Sequence, residues 1–168
     1  MNEKVINGAL GFSSLHALLL LTSRVLARSG LGDVQLLDRR ESKQKSRHGG
    51  HELECRVAVG VFSIKVIVKL VKDDVRLRMA DELTTAVKRA NADFGLLVGT
   101  GRITKKVEAV RAFYRREHIE LLDGSAFIEL LAKHRLGIRP SGDVDYAFLA
   151  SLEGASVLIR AFMKEHTV

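Results

Sequence analysis

Residues 48–72 read HGGHELECRVAVGVFSIKVIVKLVK, and this stretch decides the fold that the sequence predicts. Before Gly60, apolar residues such as Leu53 and Cys55 alternate with charged ones, and after it Val66 and Val68 belong to a second alternating run. A period of two is typical of half-buried β-strands. The stretch therefore predicts two strands joined by a tight turn at Gly60, forming a hairpin with one buried face.

The opposite face of the hairpin carries charged side chains, Glu52, Glu54, Lys65 and Lys69. We expect these residues on an exposed or functional side of the sheet. Opposite charges on neighbouring strands commonly form cross-strand ion pairs. The residues alone leave open whether this face holds only ion pairs or an active site.

The rest of the chain supplies alternating helices and strands. Apolar residues at helical spacing predict helices, and short apolar runs predict further strands. The predicted helices cover residues 13–30, 73–90, 104–117 and 125–137, and the predicted strands cover residues 34–37, 94–98 and 119–122. Because parallel strands need crossover helices, this order predicts an α/β domain with a mixed sheet.

Composition and charge narrow the class of protein. A chain of 168 residues with 46% hydrophobic and 28% charged residues is long and apolar enough for one globular domain. The net charge of +7 favours a polyanionic partner such as nucleic acid, although a basic surface also serves solubility. The single cysteine, Cys55, excludes an internal disulfide framework and a cysteine-rich zinc site.

The location of the protein is predicted from what the N-terminal region lacks. Residues 1–12, MNEKVINGALGF, have no basic segment followed by a long apolar stretch, as a secretory signal would. The apolar run Leu18–Leu21 is too short to span a bilayer. We therefore expect a cytoplasmic protein with no membrane partner.

A basic segment precedes the hairpin. Residues 39–47, RRESKQKSR, hold five basic residues and one acid, so they predict a solvated loop or an extended arm. Its position beside the hairpin favours contact with the phosphates of nucleic acid. The predicted nucleic-acid-binding residues are Arg39, Arg40, Lys43, Lys45 and Arg47 of this arm and Lys65, Lys69 and Lys72 of the hairpin.

A break near the only proline divides the chain. Pro140, Ser141 and Gly142 interrupt the apolar periodicity. The sequence therefore predicts an α/β domain over residues 1–138 and a helical tail over residues 139–168. This tail either packs on the core or supplies the contact of a homodimer.

Residues 46–136 resemble the Mrr-type branch of the restriction-endonuclease-like (PD-(D/E)xK nuclease) superfamily. Gly49-Gly50-His51-Glu52 resembles the family's Gly-Gly-apolar-Asp strand start, and residues 66–72, VIVKLVK, fall where its Gln-x-Lys or Glu-x-Lys strand stands. Residues 92–100 and 119–124, ADFGLLVGT and IELLDG, resemble the two later strands. The resemblance implies a restriction-endonuclease-like core with αβββαβαβ order, flanked by helices and followed by a C-terminal helical extension.

The sequence departs from the family at its catalytic positions. Glu52 stands at the first metal-ligand position, but Lys69 replaces the second acid and Val71 replaces the catalytic lysine. Mg²⁺ needs clustered oxygen ligands to activate water and to stabilise charge on the phosphate. Glu52 facing Lys69 predicts an ion pair instead, and hence a degenerate nuclease site with no cofactor.

Three functions follow from this reading of the sequence. The leading interpretation is a protein that binds nucleic acid, double-stranded DNA in particular, on an inactive nuclease scaffold. The first alternative is a Mg²⁺-dependent DNA endonuclease with a rearranged site, in which Glu52, Glu54 and Lys69 are catalytic and Glu52 binds the metal. The second alternative is an assembly protein that uses its tail to bind another protein.

Overall fold

The computed structural model describes residues 10, 14–31, 35–36 and 51–154. The predicted arm over residues 39–47 lies outside these residues. The helices are α1 (Leu15–Arg28), α2 (Leu77–Arg89), α3 (Lys105–Ala109), α4 (Arg111–Arg116) and α5 (Gly124–Lys133), and the strands are β1 (Gln35–Leu36), β2 (His51–Val59), β3 (Phe62–Val71), β4 (Phe94–Gly99) and β5 (Ile119–Leu122).

The strands form one mixed sheet in the order β1-β2-β3-β4-β5. Strands β1, β2 and β3 pair antiparallel, whereas β3, β4 and β5 pair parallel. Helix α2 makes the crossover from β3 to β4, and α3 and α4 make the crossover from β4 to β5. The predicted α/β fold class and the order of its elements are confirmed.

Helices cover both faces of the sheet. On one face, α1 and α5 pack against Val66, Val68 and Leu70 of β3. On the other face, α2, α3 and α4 pack against Ile67 and Val71 of the same strand. The sequence predicted one buried face for the hairpin, but the C-terminal half of β3 is buried on both faces because α2 lies across the second.

Side-chain caps fix where two of the predicted helices begin. The hydroxyl of Ser14 accepts a hydrogen bond from the amide of Ala17 (3.0 Å) at the start of α1. The carboxylate of Asp123 accepts one from the amide of Ala126 (2.9 Å) at the start of α5. Such caps satisfy backbone N–H groups that have no partner within the helix.

Two helix boundaries differ from the sequence prediction. Helix α2 begins at Leu77 rather than near residue 73, since Asp73 and Asp74 accept hydrogen bonds from the loop after β4. The helix predicted over residues 104–117 is two short helices that meet at Val110, where φ is −113° and ψ is 13°. The hydrogen bonds to Asp73 and Asp74 hold the loop before α2 against the loop after β4.

The described part of the tail packs against α1. Residues 146–154 are helical, and Leu152 is buried in the same core cluster as the apolar side chains of α1. The amide of Ser14 donates to Glu153 (2.6 Å), and the Arg24 guanidinium lies 5.5 Å from the Phe148 ring centroid. The domain boundary at residue 138 and a role of the tail in dimerisation stay predictions.

Candidate active site

A buried lysine lies between two carboxylates at the edge of the sheet where β3 ends. The side chain of Lys69 is only 1% exposed. Its ammonium nitrogen is 2.5 Å from Oε2 of Glu82 and 3.9 Å from Oε1 of Glu52. The two glutamate side chains are 28% and 25% exposed, so their carboxylates reach solvent while the lysine does not.

Strand register and a helix crossing bring these three side chains together. Glu52 of β2 is paired directly with Lys69 of β3, so their side chains project from the same face of the sheet. Helix α2 buries Met79 and Leu83 against this face, which places Glu82 beside the strand. The cluster thus combines neighbouring strands with a helix that follows them in sequence.

The charges in this cluster compensate one another. Arg78, one helical turn before Glu82, contacts its second carboxylate oxygen at 3.1 Å. Burial raises the pKa of Glu82, but the hydrogen bonds and positive charges of Lys69 and Arg78 outweigh burial and leave the pKa below its usual value. Glu82 is therefore ionised near neutral pH, and the buried ammonium has the anionic partner that a buried charge requires.

The second predicted glutamate belongs to a separate ion-pair group. The carboxylate of Glu54 contacts Lys65 at 3.2 Å and Arg56 at 3.0 Å. The Lys65 ammonium also donates to the backbone carbonyl of Ala90 (3.0 Å), which ties the hairpin to the end of α2. Glu54 and Glu52 therefore engage different cations, and a catalytic role for Glu54 stays a prediction.

The remaining predicted positions lie outside this cluster. Val71 is buried in the core beneath α2, and Lys72 is exposed. The five cations of the arm, Arg39, Arg40, Lys43, Lys45 and Arg47, lie outside the described residues. Their contact with nucleic acid stays a prediction, as does that of Lys65, Lys69 and Lys72.

The carboxylate oxygens of this cluster are of the kind that a hard divalent cation binds. Among the residues that the structure describes, no group of three or more His, Cys, Asp or Glu side chains converges as a metal cage. Mg²⁺ does not require such a cage, because it commonly binds one or two carboxylates together with water and substrate phosphate. Glu52 and Glu82 are the two carboxylates of the cluster, and both oxygens of Glu82 contact cations, Lys69 and Arg78.

Glu82 is the candidate residue that the sequence did not identify. It lies thirteen positions after Lys69 on a helix and belongs to no recognisable motif. The one available signal was energetic: a lysine surrounded by valine, isoleucine and leucine needs a carboxylate partner if its strand is buried on both faces.

Two other titratable groups are buried but belong to the core. Burial, followed by the nearby charge of Glu54, raises the pKa of the Cys55 thiol to about 11, so this thiol is unreactive at neutral pH. Burial raises the pKa of Tyr114 to about 12, with a further contribution from Asp81, which accepts its hydroxyl hydrogen bond at 2.7 Å. The position of Cys55 in the core agrees with its place on the apolar face of β2.

The sequence matches the restriction endonuclease family of the Mrr type over residues 13–131, which is more than half of the chain. This match includes α1, the hairpin with Glu52 and Lys69, and the crossover helix with Glu82. The chain belongs to the Mrr family of restriction endonucleases. The resemblance inferred from the sequence motifs is confirmed.

Two solved structures of restriction endonucleases match this chain. The DNA modification-dependent restriction endonuclease AspBHI is 17% identical with a TM-score of 0.58 and is matched over 91% of this chain and 40% of its own. The MspJI restriction endonuclease in complex with a 27-mer oligonucleotide is 21% identical with a TM-score of 0.49. The match covers 82% of this chain and 31% of the MspJI chain. The chain thus spans less than half the length of either enzyme.

A comparison with curated proteins finds no match. Within the described residues, no helix has both the length and the apolar character needed to cross a membrane.

Proposed function

We propose that this chain is a Mg²⁺-dependent endonuclease that hydrolyses the phosphodiester backbone of DNA. The observation that carries the proposal is the convergence of Glu52 and Glu82, from β2 and α2, on the buried ammonium of Lys69. The sequence argument against catalysis was that Lys69 replaces the second acid and Val71 replaces the catalytic lysine. Glu82 supplies a second carboxylate and Lys69 a cation, the kinds of group that metal-assisted hydrolysis uses.

Each residue has a role that its position supports. Glu52 and Glu82 would hold the metal, for which Glu82 would exchange its contact with Lys69 or Arg78. Lys69 would place a positive charge beside the phosphate that is attacked. When bound, Mg²⁺ supplies an activated water and neutralises charge on the phosphate. Lys69, and to a smaller extent Arg78, lower the pKa of Glu82 and keep it ionised. The partner class, DNA, is proposed from family membership and from the net charge of +7.

Cleavage of supercoiled plasmid tests this proposal. We expect nicking in the presence of Mg²⁺ or Mn²⁺ and none in EDTA. Glu52→Gln should lower the rate on the order of 100-fold, as expected when one preorganised group that stabilises the transition state is removed. Glu129→Gln is the matched control, since Glu129 is an exposed glutamate on α5, away from the cluster.

The activity of the Glu52→Gln variant shows whether cleavage comes from this site or from a contaminating nuclease. Equal nicking by Glu52→Gln and by the unsubstituted chain would show that the activity does not come from this site. Both variants should melt within a few degrees of the unsubstituted chain, so that a lost activity is not a lost fold.

A second candidate function is DNA binding without cleavage. It is favoured by the 2.5 Å contact between Lys69 and Glu82, which satisfies that carboxylate without a metal ion. In this function, Lys65 and Lys72 join the cations of the arm in contacting phosphates. A plasmid that is retarded in a gel yet stays intact with Mg²⁺ and Mn²⁺ would support it over the nuclease. A homodimer contact through residues 139–168 and a cytoplasmic location also stay predictions.

A further inference from the structure

Some cations of the chain form ion pairs with its own carboxylates, which makes them less available to bind the phosphates of a nucleic acid. Lys65 and Lys69 are held by carboxylates of the same chain. Arg76, Arg78 and Lys88 likewise contact Asp73, Glu82 and Glu117. A cation that already has a carboxylate partner must break that contact before it can bind phosphate. The cations of the hairpin are therefore not the most available in the described part of the chain.

Three exposed cations without such partners lie together after β4. Arg102, Lys105 and Lys106 are exposed, and within residues 51–154 their side chains form no ion pair with Asp or Glu. Arg102 lies in the loop after β4, and the two lysines begin α3. We call these three residues the β4-loop cations.

The loop that carries these cations is held rigidly against the end of β3. The amide of Arg102 donates to the Asp74 carboxylate (2.7 Å), and its carbonyl accepts from the amide of Val75 (2.8 Å). The amide of Gly101 donates to the Asp73 carbonyl (3.1 Å), and the Gly101 carbonyl accepts from Gly124 (2.7 Å). A loop with a fixed backbone loses little backbone entropy when it binds, so the point from which the Arg102 side chain extends is preorganised.

Gly101 permits this close approach of the two loops. A Cβ atom at this position would lie 2.7 Å from the amide nitrogen of Asp74 and 2.9 Å from the carbonyl carbon of Asp73. Both neighbours are backbone atoms and cannot move aside without displacing the loop. The absence of a side chain at Gly101 thus fixes the place of Arg102.

The β4-loop cations lie on the same edge of the sheet as the carboxylate cluster. Strands β3 and β4 are parallel and adjacent, so the segments that follow them leave at one edge, and Glu52 lies at that edge too because β2 is antiparallel. Asp74, whose carboxylate the Arg102 amide contacts, is five residues after Lys69, so their Cα atoms lie at most about 18 Å apart. The grooves of B-DNA are about 6 and 12 Å wide, so a duplex lying over the cluster presents further phosphates within this distance.

We infer that Arg102, Lys105 and Lys106 form a phosphate-binding surface that holds the DNA duplex across a groove from the Glu52–Lys69–Glu82 cluster. The inference rests on the proposed function only in that DNA is the ligand, and it does not require cleavage. Contacts of this kind position a duplex without reading its sequence.

The salt dependence of duplex binding tests this surface. The probe is a fluorescent 30-base-pair duplex of random sequence, titrated in EDTA at several salt concentrations. Each phosphate contact contributes about 0.9 to the slope of log K against log salt, so R102Q/K105Q/K106Q should lower that slope by about 2 to 3. The loss of affinity should be similar for unrelated duplex sequences.

A second triple variant removes the same charge elsewhere. Arg89, Arg116 and Lys133 are the last residues of α2, α4 and α5, at the opposite edge of the sheet. We expect R89Q/R116Q/K133Q to change the slope by less than about 1, the value of a single contact. Melting temperatures of both variants report whether the fold is intact.

The outcomes separate this inference from the proposed nuclease. Equal loss of slope in the two triple variants would overturn the phosphate-binding surface, because net charge alone would explain it. An unchanged slope in R102Q/K105Q/K106Q would overturn it too. Duplex binding that depends on the β4-loop cations, with no cleavage in Mg²⁺, would support the surface and contradict only the nuclease. No binding of the duplex by the unsubstituted chain would contradict both.

Discussion

At the scale of single residues, Lys69 is the most constrained charge in the described structure. Its side chain is 1% exposed, and its contact with Glu82 is much shorter than its contact with Glu52. A buried charge that loses its partner destabilises a protein more than an exposed one, because water cannot replace the partner. The two glutamates should therefore differ in their effect on stability even though both belong to the candidate site.

We predict that Glu82→Gln lowers the free energy of unfolding by about 2–3 kcal/mol, since it removes a charge-assisted hydrogen bond from a buried ammonium. Glu52→Gln should lower it by less than about 1 kcal/mol, because a 3.9 Å contact of a partly exposed carboxylate is weak. Chemical denaturation of both variants measures the difference.

A double substitution provides the control for this prediction. Lys69→Met removes the buried charge and keeps a side chain of similar length. Added to Glu82→Gln, it should recover most of the lost stability, because no unpaired ammonium then remains in the core. A double variant that is less stable than Glu82→Gln alone would show that the ion pair is not the source of the loss.

At the scale of secondary-structure elements, the packing of α2 on the sheet positions Glu82. This helix approaches β4 closely at Gly95, where a Cβ atom would lie 2.5 Å from Ile119 Cδ1 and 2.8 Å from Val87 Cγ2. A side chain at this position would push α2 outward, and Glu82 with it. The position of α2 thus depends on the absence of a side chain at Gly95, although the apolar side chains of α2 provide most of its contact with the sheet.

We predict that Gly95→Ala destabilises the protein by about 1–3 kcal/mol, the range for overpacking in a filled core. Gly154→Ala is the matched control, since a Cβ atom at this helical glycine meets nothing within 4 Å. Alanine favours a helix over glycine by up to about 1 kcal/mol, so the control should be neutral or stabilising. Thermal melting compares the two, and an equal effect would argue against close packing at Gly95.

At the scale of the whole molecule, net charge and paired carboxylates together set the response to acid. The chain already carries +7 at neutral pH, and protonation of carboxylates adds to the repulsion among its cations. The pKa values of Glu82 and Glu117 are lowered in the folded protein; Lys69 and Arg78 outweigh burial at Glu82, and a hydrogen bond from Lys88 acts at Glu117. Each group therefore stabilises the fold above its unfolded pKa.

We predict that stability is constant near neutral pH and falls as the pH drops below about 4.5, the ordinary pKa of these side chains. The stabilisation is lost progressively as the pH passes through the lower folded-state pKa values. Melting temperatures measured down to about pH 3 should fall less steeply for the double variant Glu82→Gln/Glu117→Gln than for the unsubstituted chain. Parallel curves for the two proteins would contradict the assignment.

The sequence by itself determined the architecture of this protein. The alternation on either side of Gly60 specifies the hairpin, and the apolar stripes of α1, α2 and α5 specify which helices cover it, because burial of apolar surface drives both. The motifs at residues 49–52, 66–72, 92–100 and 119–124, taken together in their order and spacing, were sufficient to identify the family. Each of these signals lies within a short segment of the sequence, a single helix or one or two strands.

Only the tertiary structure decided the composition of the candidate site. Whether Lys69 faces solvent or core depends on where α2 lies, and that depends on packing between distant segments such as β4 and α4. The same packing selects Glu82 as the partner of Lys69 and, among the residues that the structure describes, leaves the Arg102 guanidinium without a carboxylate partner. Ion pairs between elements depend on distances of a few ångströms that no periodicity encodes, which is the physical reason the sequence could not reveal them.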